Sequence, residues 1–108
     1  MAITIKTEKE IEILKEGGKI LADVLRELAK LSAGWRTGVS TGFLEKKARE
    51  MILARGAEPA FLNYHPAFLE KPYPAALCAS LNNVVVHCVP SDEIVLKEGD
   101  ILKLDLGV

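Results

Sequence analysis

Ile101-Leu102-Lys103-Leu104-Asp105-Leu106-Gly107-Val108 is an apolar strand pattern carrying two charges. In an extended chain, Leu104 and Leu106 alternate onto one face, and Ile101, Lys103 and Asp105 share the other. Neither face is cleanly polar, which predicts burial on both sides. A carboxylate held between leucines is costly unless a cation or strong donors meet it. Two partners are open at this point: a metal ion, and Lys103 on the same face. As a surface ion pair, Lys103 and Asp105 would contribute little.

Upstream, Glu98-Gly99-Asp100 is a turn, and so is Pro90 to Asp92. Val84 to Val89 is a β-branched apolar run interrupted by His87, read here as extended chain. Asn82-Asn83 turns the chain after a short alternating strand, Leu77 to Leu81. Glu58 to Pro74 is rich in proline and aromatics and reads as a long shaped loop, a type that is often functional.

Further back the period changes to that of a helix. Ser40 or Thr41 caps a helix reaching about Arg55, with Leu44, Ala48, Met51 and Ile52 inward and Gly56 as its stop. Thr7-Glu8-Lys9-Glu10 is a capping box opening a longer helix. Ile11, Leu14, Leu21, Leu25 and Leu28 form its predicted buried stripe, widened by Ile20, Val24 and Leu31. Gly17-Gly18 predicts close approach of another backbone, and Gly34 ends the helix. Two helices followed by strands define an α+β layer with the helices on one sheet face.

A chain of 108 residues is one domain, large enough to bury a core. A net charge of −1 argues against nucleic-acid binding through bulk positive charge. No apolar run approaches a membrane span, and the first ten residues lack a signal-peptide core. The expected compartment is the cytoplasm. Cys78 and Cys88 lack C-x-x-C spacing, which suits reduced thiols.

Taken singly, the chemistry-bearing residues have ordinary explanations. His87 at the end of an apolar run fits a core histidine bonded to a carbonyl, and equally an imidazole at a pocket lip. His65 fits a surface position, Cys78 a small buried hydrophobe, and Phe61, Tyr64, Phe68 and Tyr73 loop packing. No spacing forms a zinc motif, a phosphate loop or a Ser-His-Asp set.

Together these stretches resemble type I methionine aminopeptidases. The matching residues are Ile5-Lys6-Thr7, Glu10-Ile11, Leu14 and Gly17-Gly18; Gly38-Val39-Ser40-Thr41; Leu62-Asn63-Tyr64-His65; Tyr73-Pro74; Leu77-Cys78 and Ser80; Asn82, Val84-Val85 and His87; and Leu96-Lys97, Gly99-Asp100-Ile101 and Leu104-Asp105. Each match alone is weak; their common order is specific.

The resemblance implies the first half of a pita-bread fold, in which two pseudo-symmetric halves of helices over antiparallel strands enclose two divalent metal ions. The implied activity is removal of the initiator methionine from nascent chains, with a ribosomal association as a further implication. The metal ions would be cobalt, manganese, iron, zinc or nickel. The implied roles are metal ligand for Asp105, substrate contact near the scissile bond for His87, and methionine pocket for Phe61, Tyr64, Tyr73 and Cys78, with His65 at its rim. Bridged divalent ions suit such carboxylate and imidazole donors and generate hydroxide near neutral pH.

Three departures bear on this. Cys88 stands where the family usually has glycine, and a left-handed backbone there would strain Cys88 and redirect His87. Asn83 stands near a usual acidic position, and the chain between His65 and Tyr73 is longer. The family's remaining ligands would follow Val108, the next aspartate roughly ten residues on across a hairpin. The expectation is therefore an incomplete metal site in this chain, with negligible activity on its own. A reading of a different class is a non-catalytic binding module, or two copies self-associating edge to edge.

Overall fold

The Thr7–Glu10 capping box forms as its spacing predicts. Glu10 Oε2 accepts the Thr7 N–H at 2.7 Å, and Thr7 Oγ1 accepts the Glu10 N–H at 3.2 Å. It opens helix α1, Glu8–Ala33. The structure is a computed structural model, and it describes residues 2–33 and 38–108. Gly34, the expected stop of α1, lies outside the described residues. Helix α2, Thr41–Ala54, starts at Ser40, whose Oγ accepts the Phe43 N–H at 3.0 Å. It ends in a Schellman motif. Gly56, at φ 73°, donates to the Leu53 carbonyl, and Ala57 donates to that of Ile52.

Strands β1, Leu77–Leu81, and β2, Leu102–Leu106, pair antiparallel with Leu77 opposite Leu106, Cys78 opposite Asp105, and Ser80 opposite Lys103. This register separates the sheet faces. Leu77, Ala79 and Leu106 enter the core with Ile20, Val24 and Leu28 of α1 and Leu44, Ala48 and Ile52 of α2. Cys78, Ser80, Lys103 and Asp105 occupy the opposite face.

Four features depart from the expected pattern. First, the buried stripe of α1 is Ile20, Val24 and Leu28, while Ile11 and Leu14 are exposed. The sheet and α2 reach only the C-terminal part of α1, so its first turns have nothing to pack against. Second, the glycine pair makes no tight backbone contact. A Cβ on Gly17 would meet only a Val108 methyl at 3.6 Å, and one on Gly18 would meet nothing within 4 Å. Third, Val84, Val85, Val86 and Val89 are exposed and lie outside both strands. Val84 stays bonded to the end of β1, its N–H donating to the Leu81 carbonyl at 2.9 Å, and Cys88 docks alongside β1, accepting the Ala79 N–H at 3.1 Å and donating to Ser80 Oγ at 3.2 Å. Fourth, Asp105 is exposed, because among the described residues no element covers that end of the outer face of β2.

Residues 91–96 are stitched to the start of α2. Ser40 and Val95 form a β-bridge, and the Thr41 N–H donates to the Ile94 carbonyl at 2.9 Å. The fully buried Thr41 hydroxyl donates to the Ser91 carbonyl at 3.1 Å and accepts the Ser91 N–H at 2.9 Å.

Candidate functional site

The outer face of the β1–β2 ladder and the aromatic loop beside it hold most of the chemistry-bearing residues. Alternation sends Asp105 to this face while its neighbours Leu104 and Leu106 turn toward the helices. Lys103 is not its partner. The Lys103 ammonium donates to the Asn82 carbonyl at 2.6 Å, and among the described residues the Asp105 carboxylate has no hydrogen bond or ion pair. The Asn82 N–H donates to the Ile101 carbonyl at 2.8 Å, and its side chain is bound twice more at this end of the ladder. Its Nδ2 donates to Asp100 Oδ1 at 3.0 Å, and its Oδ1 accepts the Ile101 N–H at 3.0 Å. These contacts pin the register that sets Asp105 opposite Cys78.

Tyr73 covers the buried side of this face. Its hydroxyl donates to the Leu77 carbonyl at 2.8 Å. Burial, reinforced by the neighbouring Cys78 thiol, drives the phenol well above its ordinary range. Cys78 is 5% exposed. Burial pushes its thiol up, the Tyr73 hydrogen bond pulls it down, and the negative charge of Asp105 raises it again. A thiol in this state is a packing group, not a nucleophile.

Backbone bonds hold the aromatic loop in place. The Tyr73 N–H donates to the Tyr64 carbonyl at 2.7 Å, and the Asn63 N–H donates to that of Tyr73 at 2.8 Å. The Ala60 N–H donates to the Gly107 carbonyl at 3.0 Å, and a Cβ on Gly107 would lie 3.4 Å from the Phe61 ring. Gly107 thus lets the Phe61 ring approach the chain two residues beyond Asp105. Tyr64 and His65 are exposed on the outside of the loop, with His65 Nε2 2.8 Å from the Leu69 carbonyl.

His87 is exposed, so it is not a core histidine. The left-handed backbone sits at His87 itself, at φ 61°, and not at Cys88. Strain therefore falls on the histidine, at a cost of about 1 kcal/mol, and Cys88 carries none of the expected distortion. The turn places His87 next to Cys88, which docks against Ala79 and Ser80 of β1.

One side chain with no chemical signature in the sequence organises this region. Glu45 of α2 accepts the Ala76 N–H and the Leu77 N–H, each at 2.8 Å, and pairs with Arg49 Nε. Arg49 Nη2 donates in turn to the Pro74 carbonyl at 3.0 Å. In sequence, Glu45 and Arg49 look like an ordinary surface pair at helical spacing. Only the approach of residues 74–77 turns them into a clamp.

As one donor for a hard or borderline cation, Asp105 fits, since its oxygens are free. Among the described residues no group of three or more His, Cys, Asp or Glu side chains gathers to hold an ion. This chain's described residues therefore offer one ligand and do not close a coordination sphere. No described helix is long and apolar enough to cross a membrane.

Comparison with known proteins places these features in a family. The family model for metallopeptidase family M24 matches residues 12–108. The chain is 46% identical over 107 residues to methionine aminopeptidase of Aquifex aeolicus, covering 99% of this chain and 40% of that protein. It is 43% identical over 109 residues to that of Haemophilus influenzae, covering 100% of this chain and 37% of the relative. The crystal structure of methionine aminopeptidase from Thermotoga maritima superposes with a TM-score of 0.86 at 37% identity, covering 97% of this chain and 39% of that one. The Rickettsia prowazekii enzyme gives 0.83 at 33% identity, covering 97% and 38%. The chain thus spans about two fifths of the length of the curated relatives it matches.

Proposed function

This chain belongs to metallopeptidase family M24, and we propose that it supplies the first half of a methionine aminopeptidase site, residues 1–108 acting as one domain of that enzyme. The reaction is hydrolysis of the bond after an N-terminal methionine on a newly made chain, in the cytoplasm. Asp105 is a metal ligand. His87 steadies the substrate carbonyl as charge develops on it. Phe61, Tyr64, Tyr73 and Cys78 line the methionine pocket, with His65 at its rim. An aromatic, sulfur-containing wall suits a thioether side chain.

The observation that carries this reading is the register placing Asp105 opposite Cys78, on the sheet face away from the helices and beside the anchored aromatic loop. The carboxylate there has no protein partner among the described residues, so it is free to accept a cation. Two divalent ions, when bound by the whole enzyme, supply an activated water. This chain's own part is to present one ligand, a substrate-facing imidazole and the pocket wall.

The test is a chimera joining residues 1–108 to the part of the Aquifex aeolicus enzyme beyond the aligned region. With cobalt or manganese it releases methionine from Met-Ala-Ser, and Asp105→Asn lowers kcat about a hundredfold or more. Equal metal affinity and equal turnover in a folded Asp105→Asn form would refute the assignment.

A second reading, a non-catalytic module that self-associates, is favoured by the exposed Val84, Val85, Val86 and Ile101 side chains near the sheet. Sedimentation equilibrium separates the two: a stable dimer of the 108-residue chain supports it, and a monomer excludes it.

A further inference from the structure

We propose that Glu45 is a positioning residue: by clamping residues 74–77 onto α2, its carboxylate sets Tyr73 and Cys78 in place on the outer sheet face. The clamp itself is geometric. The pocket it serves rests on the aminopeptidase reading above.

Both oxygens of Glu45 are in use. Oε1 accepts the Ala76 N–H and the Arg49 guanidinium, and Oε2 accepts the Leu77 N–H. The side chain is 12% exposed, so water replaces these partners poorly. The two N–H groups lead directly into β1, whose first residue, Leu77, is also packed in the core against the helices. Arg49 extends the grip to Pro74, next to Tyr73. The Tyr73 hydroxyl then closes a short loop back onto the Leu77 carbonyl, beside the Cys78 thiol. A carboxylate is required because it alone offers acceptors on both oxygens; an amide offers one carbonyl oxygen and turns an NH₂ toward the second donor.

Cys88 provides an internal control. It is partly exposed and anchored to Ala79 and Ser80 of β1, with only a long 3.5 Å contact from the Tyr73 hydroxyl to its carbonyl, whereas Cys78 is buried directly beyond the clamp. Iodoacetamide labelling of the 108-residue chain, read by peptide mass spectrometry, follows both thiols at once. In Glu45→Gln, labelling of Cys78 rises on the order of tenfold, as the loss of a charge-assisted contact predicts. Labelling of Cys88 stays within about twofold. Amide exchange of Ala76 and Leu77 accelerates, while that of Ala79, bonded to Cys88, does not. Parallel rises at both cysteines, or none, overturn the proposal. If Glu45→Gln does not fold, Arg49→Lys tests the same clamp through the lost Pro74 contact, with a smaller rise again confined to Cys78; an equal rise at both thiols overturns it there. In the chimera, Glu45→Gln raises KM for Met-Ala-Ser and leaves kcat nearly unchanged. A loosened Cys78 with an unmoved KM keeps the clamp and removes Tyr73 and Cys78 from the methionine pocket.

Discussion

Gly42→Ala is expected to be among the costliest single-methyl additions in this chain. Gly42 lies in the first turn of α2, where the backbone of residues 91–92 crosses. An added Cβ would sit 2.2 Å from Asp92 Oδ1, 2.7 Å from Asp92 N and 2.9 Å from the Ser91 carbonyl carbon. The carboxylate can swing away. The two backbone atoms must retreat by roughly 1 Å to reach ordinary contact. That displacement pulls on three hydrogen bonds at once: Gly42 N–H to the Ser91 carbonyl at 3.0 Å, and the two Thr41 hydroxyl bonds to Ser91. Overpacking costs about 1–3 kcal/mol. Weakening buried hydrogen bonds adds about 1 kcal/mol, and the better helix propensity of alanine returns less than about 1 kcal/mol. The net loss is about 1–4 kcal/mol, a sizeable share of the roughly 5–15 kcal/mol available to a domain. Gly18→Ala is the matched control. It lies inside α1 with nothing within 4 Å of the new methyl, so it stabilises by about 0.5–1 kcal/mol. Urea unfolding followed by circular dichroism reads both, with an unchanged m-value required for the comparison. A Gly42→Ala midpoint equal to that of the unsubstituted chain, or both variants shifting in the same direction, would refute the reasoning.

Four further outcomes are expected. Asp100 is held below the usual carboxylate range, first by Asn82 Nδ2–H and then by the Lys97 N–H. A depressed folded pKa stabilises above the unfolded value near about 3.9 and is lost as pH falls through the folded one. The stability advantage over Asp100→Asn at pH 7 should therefore shrink in acid, as urea midpoints at neutral and acidic pH will record. Tyr73 is shifted the other way, first by burial. A raised folded pKa stabilises below the unfolded value of about 10 and is lost as pH rises past it. Absorbance titration should thus show Tyr73 ionising only together with unfolding. Tyr73→Phe leaves the Leu77 carbonyl without its hydroxyl donor and should cost about 1–2 kcal/mol in urea unfolding. Finally, the 108-residue chain alone should release negligible methionine from Met-Ala-Ser with cobalt or manganese, because among its described residues no three His, Cys, Asp or Glu side chains gather where several donors are needed. Turnover by the purified chain would contradict this.

Features written in neighbouring residues were readable without coordinates. The Thr7–Glu10 box, a cap at Ser40 or Thr41 (the structure uses Ser40) and the Gly56 stop each satisfy orphan helix groups within a few positions, so residue type and spacing point to them. Strand alternation likewise sent Asp105 to the face opposite Leu104 and Leu106. The family motifs were legible for the same reason, since each is a short string in fixed order.

Other features depend on which distant segments meet. Neither periodicity nor propensity reports that α1 finds partners only from Ile20 onward. Val84 to Val86 have the composition of a strand, yet they lie exposed outside the ladder, ahead of a left-handed turn at His87. Lys103 sits two residues from Asp105, but the Asn82 carbonyl takes its ammonium. Glu45 acquires its clamp only because residues 74–77 pass beside α2. Local hydrogen bonding and alternation, both short-range, thus determined the elements and the orientation of Asp105 from sequence alone. Tertiary contact decided what each polar group is bonded to, because burial and partners come from residues tens of positions away.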